Sequence, residues 1–164
     1  MTPVVVRPAT DADWTALWPI VEAVVRAGET YAWPRDLPEP AARALWMQTA
    51  PGITLVAVDG DQLLGSATIK PNQMGPGSHV ANASFMVGPA ARGRGVGRLL
   101  GQAALDQARS AGFSAMQFNA VVETNTAAVA LWRSLGFAVV GTVPEAFDHP
   151  TRGLVGLHVM HRRL

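Results

Sequence analysis

The sequence predicts one α/β domain, residues 1–164, in which a mixed sheet is flanked by about four helices. Three observations predict it. Residues 53–58 and 63–69 are apolar, β-rich runs separated by Asp59-Gly60-Asp61, the pattern of an antiparallel hairpin. From residue 79 onward strand-like and helix-like runs alternate, and a strand–helix–strand crossover makes its two strands parallel. A chain of 164 residues with 49% apolar composition suits a single core.

Each element has its own signal. Val4-Val5-Val6 is a β-branched run that opens the first strand. Thr10 and Asp13 stand at capping-box spacing. Trp14, Leu17, Trp18, Val21, Val24 and Val25 follow with helical periodicity, and Pro19 is expected to kink or split that helix. Gly28-Glu29-Thr30-Tyr31-Ala32-Trp33-Pro34 breaks the pattern as a loop, and Tyr31 is the only tyrosine. Prolines at 38 and 40 fit the first turn of a second helix through Trp46 and Met47, which Pro51-Gly52 stops. After the hairpin, Gly75-Pro76-Gly77 marks a loop and residues 79–87 form a strand. The next helix runs to Ser110, with Gly112 as its stop signal. Residues 115–122 are a strand, and residues 125–135 a helix with Ala128, Leu131, Trp132 and Leu135 as its apolar stripe. A strand from Phe137 to Val143, a loop over 144–153 and a last strand over 154–160 complete the order.

Composition removes several classes of function. Thirteen basic and twelve acidic residues leave a net charge of +1, too weak a field for general nucleic-acid binding. There is no cysteine, which excludes disulfides, thiolate catalysis and Cys-based zinc sites. His79, His149, His158 and His161 show no metal-ligand spacing, so no metal is expected. The first residues lack a basic segment followed by a long apolar one, and no apolar run approaches a membrane span. A cytoplasmic protein without a membrane partner is the expectation.

The most informative stretch is Val87-Gly88-Pro89-Ala90-Ala91-Arg92-Gly93-Arg94-Gly95-Val96-Gly97-Arg98, between a strand-like and a helix-like run. Glycines let the backbone turn tightly and present N–H groups to a ligand, and the N-terminus of the following helix favours anions. The stretch therefore reads as a cradle for phosphate or pyrophosphate. It is not a nucleoside-triphosphate loop, because Gly97 is followed by Arg98-Leu99 rather than Lys-Ser or Lys-Thr. Nor is it a dinucleotide fingerprint, which belongs after the first strand of its fold.

Arg92, Gly95 and Gly97 form an Arg-x-x-Gly-x-Gly pattern. This resembles the acetyl-CoA pyrophosphate motif of the GCN5-related N-acetyltransferases. A second segment, Asn125 to Phe137, resembles the family's Asn-x-x-Ala-x-x-Leu-Tyr-x-x-x-Gly-Phe. The resemblance covers nearly the whole chain. It implies the acyl-CoA N-acyltransferase fold: a central, mostly antiparallel sheet with one splayed parallel strand pair. The splayed strands should be those ending at Val87 and Val122.

The resemblance also implies roles. The backbone of Phe85, Met86 and Val87 would pair with the pantetheine arm of acetyl-CoA. The N–H groups of Arg92, Gly93, Arg94, Gly95, Val96 and Gly97 would face its pyrophosphate, with charge added by Arg92, Arg94 and Arg98. Asn125 would touch the CoA arm and is also a good helix N-cap. Val87 N–H would serve the oxyanion, with Met86 as the alternative. Where the family has a tyrosine near the CoA sulfur, this chain has Trp132, which can pack or donate a hydrogen bond but is not a usable acid.

The reaction implied is direct attack by a primary amine, which must first lose a proton. The strand before the cradle, unlike that of many family members, carries no carboxylate. Glu29 is the leading base, with Glu123, Glu145 and His158 as alternatives, and Asn82 and Asn119 as groups able to hold a water. Glu29, Tyr31 and Trp33 form the expected acceptor loop, suited to a small cationic or apolar amine. The expected partner is thus a small-molecule amine or amino acid. A protein lysine or N-terminus is the second acceptor class, and a CoA-binding sensor without catalysis is a third reading. Assembly as a homodimer is left open.

Overall fold

The computed structural model describes residues 3–164. Met1 and Thr2, part of the segment read as lacking a leader, lie outside the described residues. Seven strands and four α-helices follow in the order expected: β1 (Val5–Pro8), α1 (Trp14–Ala27), α2 (Glu39–Trp46), β2 (Ile53–Asp59), β3 (Gln62–Pro71), β4 (Val80–Val87), α3 (Val96–Ser110), β5 (Ala115–Val122), α4 (Thr126–Ser134), β6 (Ala138–His149) and β7 (Gly153–Arg163). The strands make one sheet in the order β1-β2-β3-β4-β5-β7-β6. Only the β4–β5 pair is parallel; the others are antiparallel.

Side chains alternate across a strand, so the sheet has two buried faces. On one, Trp14, Leu17, Val21 and Val25 of α1 and Trp46 of α2 pack together with Met86 of β4. On the other, Leu105 and Ala108 of α3 and Trp132 of α4 pack on Ala81 and Ala83 of β4 and on Met116 and Phe118 of β5. Ile20, outside the periodicity first read for α1, is also buried.

One expectation is narrowed and one corrected. Of the kink or split expected at Pro19, the split does not occur: α1 continues through it. A proline forfeits one backbone hydrogen bond there, and burial of Leu17, Ile20 and Val21 on the sheet outweighs that loss. Residues 144–149 are not loop but part of β6, which pairs with β7 from Ala138 to His149 across two irregularities in register. Pro144 is tolerated because β6 is an outer strand, where a missing N–H costs no ladder bond on the free side. The second irregularity, between Val143 and Phe147, contains Glu145 at φ 52°.

The entry to α1 is held by Asp13. Its carboxylate accepts from both terminal nitrogens of Arg7 at 2.8 Å and from the Thr10 N–H at 2.7 Å. The Arg7 guanidinium holds the Asp13 carboxyl well below the usual carboxylate range. A lowered folded pKa means that the unfolded chain binds the proton more readily. The stabilisation is therefore complete above the unfolded value near 4 and is lost progressively as pH falls from there through the lower folded value. Asp13→Asn should cost about 1 kcal/mol at pH 7 and less at pH 3, read from urea unfolding at the two pH values. An equal cost at both would show that the ion pair contributes no pH-dependent stability.

Candidate active site

The parallel ladder between β4 and β5 has three register pairs: Val80 with Ala115, Ala81 with Met116 and Asn82 with Gln117. Beyond them the strands diverge, and a cavity of about 670 Å³ opens in the fork. The strands that splay end at Val87 and Val122. The cavity reaches both faces of the sheet. On the α3–α4 face it is lined by Phe85, Gly97, Phe118, Asn125, Leu131 and Trp132. On the α1–α2 face it is lined by Tyr31, Trp33, Trp46, Thr68, Lys70, Asn82, Ser84 and Asn119.

At the end of β4 the chain passes through a 3-10 turn at Pro89–Ala91 and enters α3. Gly93 and Gly95 sit at φ 72° and 68°. A Cβ at either would meet nothing within 4 Å, so it is the left-handed backbone and not crowding that calls for glycine. The N–H groups of Gly93, Gly95, Val96, Gly97 and Arg98 find no acceptor among the described residues. Five unsatisfied donors at a helix N-terminus beside the cavity are the chemistry of an anion cradle. A pyrophosphate fits this donor set.

Trp132 forms the inner wall. Its ring centroid lies 4.5 Å from that of Phe85 and 5.0 Å from that of Phe118. Phe118 in turn stacks on Phe137 at 4.2 Å. Asn125 caps α4, its Oδ1 accepting from the Ala128 N–H at 3.3 Å, and also lines the cavity.

Comparison with known proteins agrees with this geometry. Residues 17–137 match the model of the acetyltransferase (GNAT) family. The chain belongs to the GNAT family. It is 61% identical to a GCN5-related N-acetyltransferase from Kribbella flavida, over 98% of both chains and with a TM-score of 0.95. A Salmonella typhimurium protein assigned as an acetyltransferase, solved with its cofactor acetyl-CoA, is 25% identical over 99% of this chain and 95% of its own, with a TM-score of 0.84. N-acetyltransferase aca1 of Schizosaccharomyces pombe is 39% identical over 98 residues, 59% of this chain and 47% of that protein. The chain spans less than half the length of the curated relatives it matches.

Within this GNAT fold the predicted residues divide. Of the three strand residues, Phe85 and Val87 turn their peptide groups towards the fork. Gly88 N–H donates to Leu64 O on β3, and peptide groups alternate along the strand, so Met86 likewise faces β3. Met86 is therefore not at the open edge, and its side chain is buried under α1. Arg94 forms an ion pair with Asp59 at 2.6 Å, and Arg98 donates to Ser134 Oγ at 2.8 Å. Arg92 alone of the three arginines has no partner among the described residues. Trp33 and Tyr31 line the cavity, whereas Glu29 is exposed and outside it, just past the Gly28 that ends α1. The other acidic and histidine alternatives also lie elsewhere. Glu123 Oε1 accepts from Gly156 N–H at 2.6 Å, Glu145 is exposed on the outer strand, and His158 Nδ1 meets Thr142 Oγ1 at 2.7 Å. Asn82 and Asn119 are in the cavity wall.

Tyr31 has a more specific place than the sequence indicates. Its hydroxyl donates to Phe85 O at 2.8 Å and accepts from Phe85 N–H at 3.0 Å, filling the edge of β4 where β5 has moved away. Burial pushes the Tyr31 phenol up, against the opposing effect of the Phe85 peptide. Tyr31, Trp33 and Trp46 pack at centroid distances of 5.4 to 6.1 Å. Trp46 is itself anchored by Nε1 donating to Ser66 Oγ at 2.9 Å. Sequence reading missed Lys70; its signal is that it is the chain's only lysine. Among the described residues no group of three or more His, Cys, Asp or Glu side chains could hold a metal ion, and no helix is long and apolar enough to cross a membrane.

Trp132 is 7% exposed and touches three other rings. Trp132→Ala should lower stability by about 3–5 kcal/mol, measured by urea unfolding. A loss under about 1 kcal/mol would mean that the cluster closes over the gap without it.

Proposed function

We propose that the protein is an acetyl-CoA-dependent N-acetyltransferase that passes the acetyl group to a primary amine of a small molecule or amino acid by direct attack. The observation that carries this reading is the fork itself. One cavity joins an anion cradle on the α3–α4 face to an aromatic and amide-lined chamber on the α1–α2 face. A donor whose phosphates lie at one end and whose thioester reaches the fork would meet an acceptor entering from the other.

In this reading Gly93, Gly95, Val96, Gly97 and Arg98 give N–H groups to the pyrophosphate, and Arg92 adds charge. Arg94 supports the cradle from its pair with Asp59. Val87 offers edge N–H and C=O groups to the arm, while Phe85, Asn125 and Trp132 shape its path. The Tyr31 hydroxyl positions the Phe85 peptide, and Trp33 packs against the acceptor. Among the described residues no Asp, Glu or His lines the cavity, so the amine's proton leaves to water in the chamber rather than to Glu29. That same absence is the observation that favours the second reading, a CoA-binding protein without catalysis.

Release of free CoA thiol from acetyl-CoA, followed over a panel of amines, amino acids and peptides, separates the two. Release with small amines is the expected result; tight acetyl-CoA binding with no release from any acceptor would support the sensor. Gly95→Asp tests the cradle. Aspartate tolerates the left-handed backbone, so the fold should persist while its charge repels phosphate, and acetyl-CoA affinity should drop by on the order of 100-fold by calorimetry.

The proton route has a distinct signature. kcat/KM should rise with pH up to the acceptor amine's own pKa, with no enzyme carboxylate or imidazole limb, and Glu29→Gln should leave the profile unchanged. An enzyme limb that disappears in Glu29→Gln would return the base to Glu29.

A further inference from the structure

The chamber on the α1–α2 face has one formal charge. Lys70 is the only Asp, Glu, Lys, Arg or His residue lining the cavity, and it makes no hydrogen bond or ion pair among the described residues. It projects from β3 directly across from Asn82 of β4. Lys70, Thr68, Asn82 and Asn119 thus make a polar floor around one cation, on the opposite face from the phosphate cradle.

The amides are oriented by their partners. Asn82 Nδ2 donates to Gln117 O at 3.0 Å, and Asn119 Nδ2 donates to Asn72 Oδ1 at 2.7 Å. Gln117 Nε2 occupies Asn119 Oδ1 at 2.9 Å. Each amide nitrogen carries two hydrogens, so one N–H remains on Asn82 and one on Asn119. A lysine ammonium with two amide N–H donors nearby is a set of donors without a negative partner. Above it stands the apolar wall of Tyr31, Trp33 and Trp46.

From this arrangement we infer that the acceptor is an amino-carboxylate: a small molecule whose reacting amine is accompanied by a carboxylate, the carboxylate held by Lys70 with the Asn82 and Asn119 amides. The inference rests on the reading of this chamber as the acceptor side. A polyamine or a lysine-rich tail would bring further positive charge to a chamber that holds no acid to receive it and one cation to repel it. In the transfer, the amine nitrogen bonds to the acetyl carbonyl carbon and the carbon–sulfur bond breaks. The sulfur leaves with the electron pair and gains the proton that the nitrogen gives up.

The test compares the proteinogenic amino acids with their carboxamides as acceptors, in wild type and in Lys70→Gln and Lys70→Glu, by thiol release. Lys70 is exposed, so both variants should fold, and acetyl-CoA affinity measured alongside should stay within about twofold. In wild type the carboxylate form of the best acceptor should exceed its carboxamide in kcat/KM by on the order of 30-fold, the size of one charge-assisted contact. Lys70→Gln should erase most of that preference, and Lys70→Glu should invert it. Equal use of carboxylate and carboxamide by wild type, or a preference that survives Lys70→Gln, overturns the carboxylate site and leaves the transferase reading standing. Absence of thiol release with every amine overturns the transferase reading and the site with it.

Discussion

The short parallel ladder between β4 and β5 is the constraint on which the site depends. After the third pair the next link across the gap is made by a side chain, the Asn82 amide donating to Gln117 O. Beyond that point Phe85 and Phe118, whose rings meet at 5.8 Å, stand with Trp132 on one face of the opening. Strand edges that lose a neighbour must find other partners for their peptide groups. Here one such residue is satisfied by Tyr31 and the next in the same orientation, Val87, is left for whatever enters. The opening is thus built from backbone that the sheet itself no longer uses.

A second consequence is that the two sides of the sheet carry different chemistry. The α3–α4 side offers main-chain donors and aromatic rings; the α1–α2 side offers amides, one ammonium and indoles. Their separation follows from strand alternation, because neighbouring residues on β4 and β5 point to opposite faces. The α1–α2 loop closes the second side through a chain of contacts from Tyr31 to Trp46 to Ser66, whose hydroxyl donates to Leu55 O at 2.7 Å. The position of that loop is therefore set by the sheet below it.

Much of this was legible in the chain. Element order and the glycine turn into α3 follow from local signals, because turn chemistry and side-chain periodicity act over a few residues, whereas the two diverging strands were legible only through the family resemblance. What escaped depends on partners far apart in sequence. Nothing within a few residues of Arg94 announces Asp59, which takes it from the cradle. Glu29 looks like part of the Tyr31–Trp33 loop, yet lies one residue past the glycine that ends α1, exposed and outside the cavity lining. Pro144 reads as a strand breaker until its strand is known to be the outermost. Lys70 has no motif at all; only the pairing of β3 with β4 puts it beside Asn82.

The same outer strand bears on how the protein behaves in a crowded solution. A sheet open at its borders is a template onto which other chains can add. One border here is β1, only four residues long. The other is β6, where Pro144 lacks a donor and the turn at Glu145 breaks the regular spacing of peptide groups. Val140 and Val143 remain exposed there at 64% and 53%. The proline that looks like an interruption leaves one residue of the border strand without an N–H to offer a further strand.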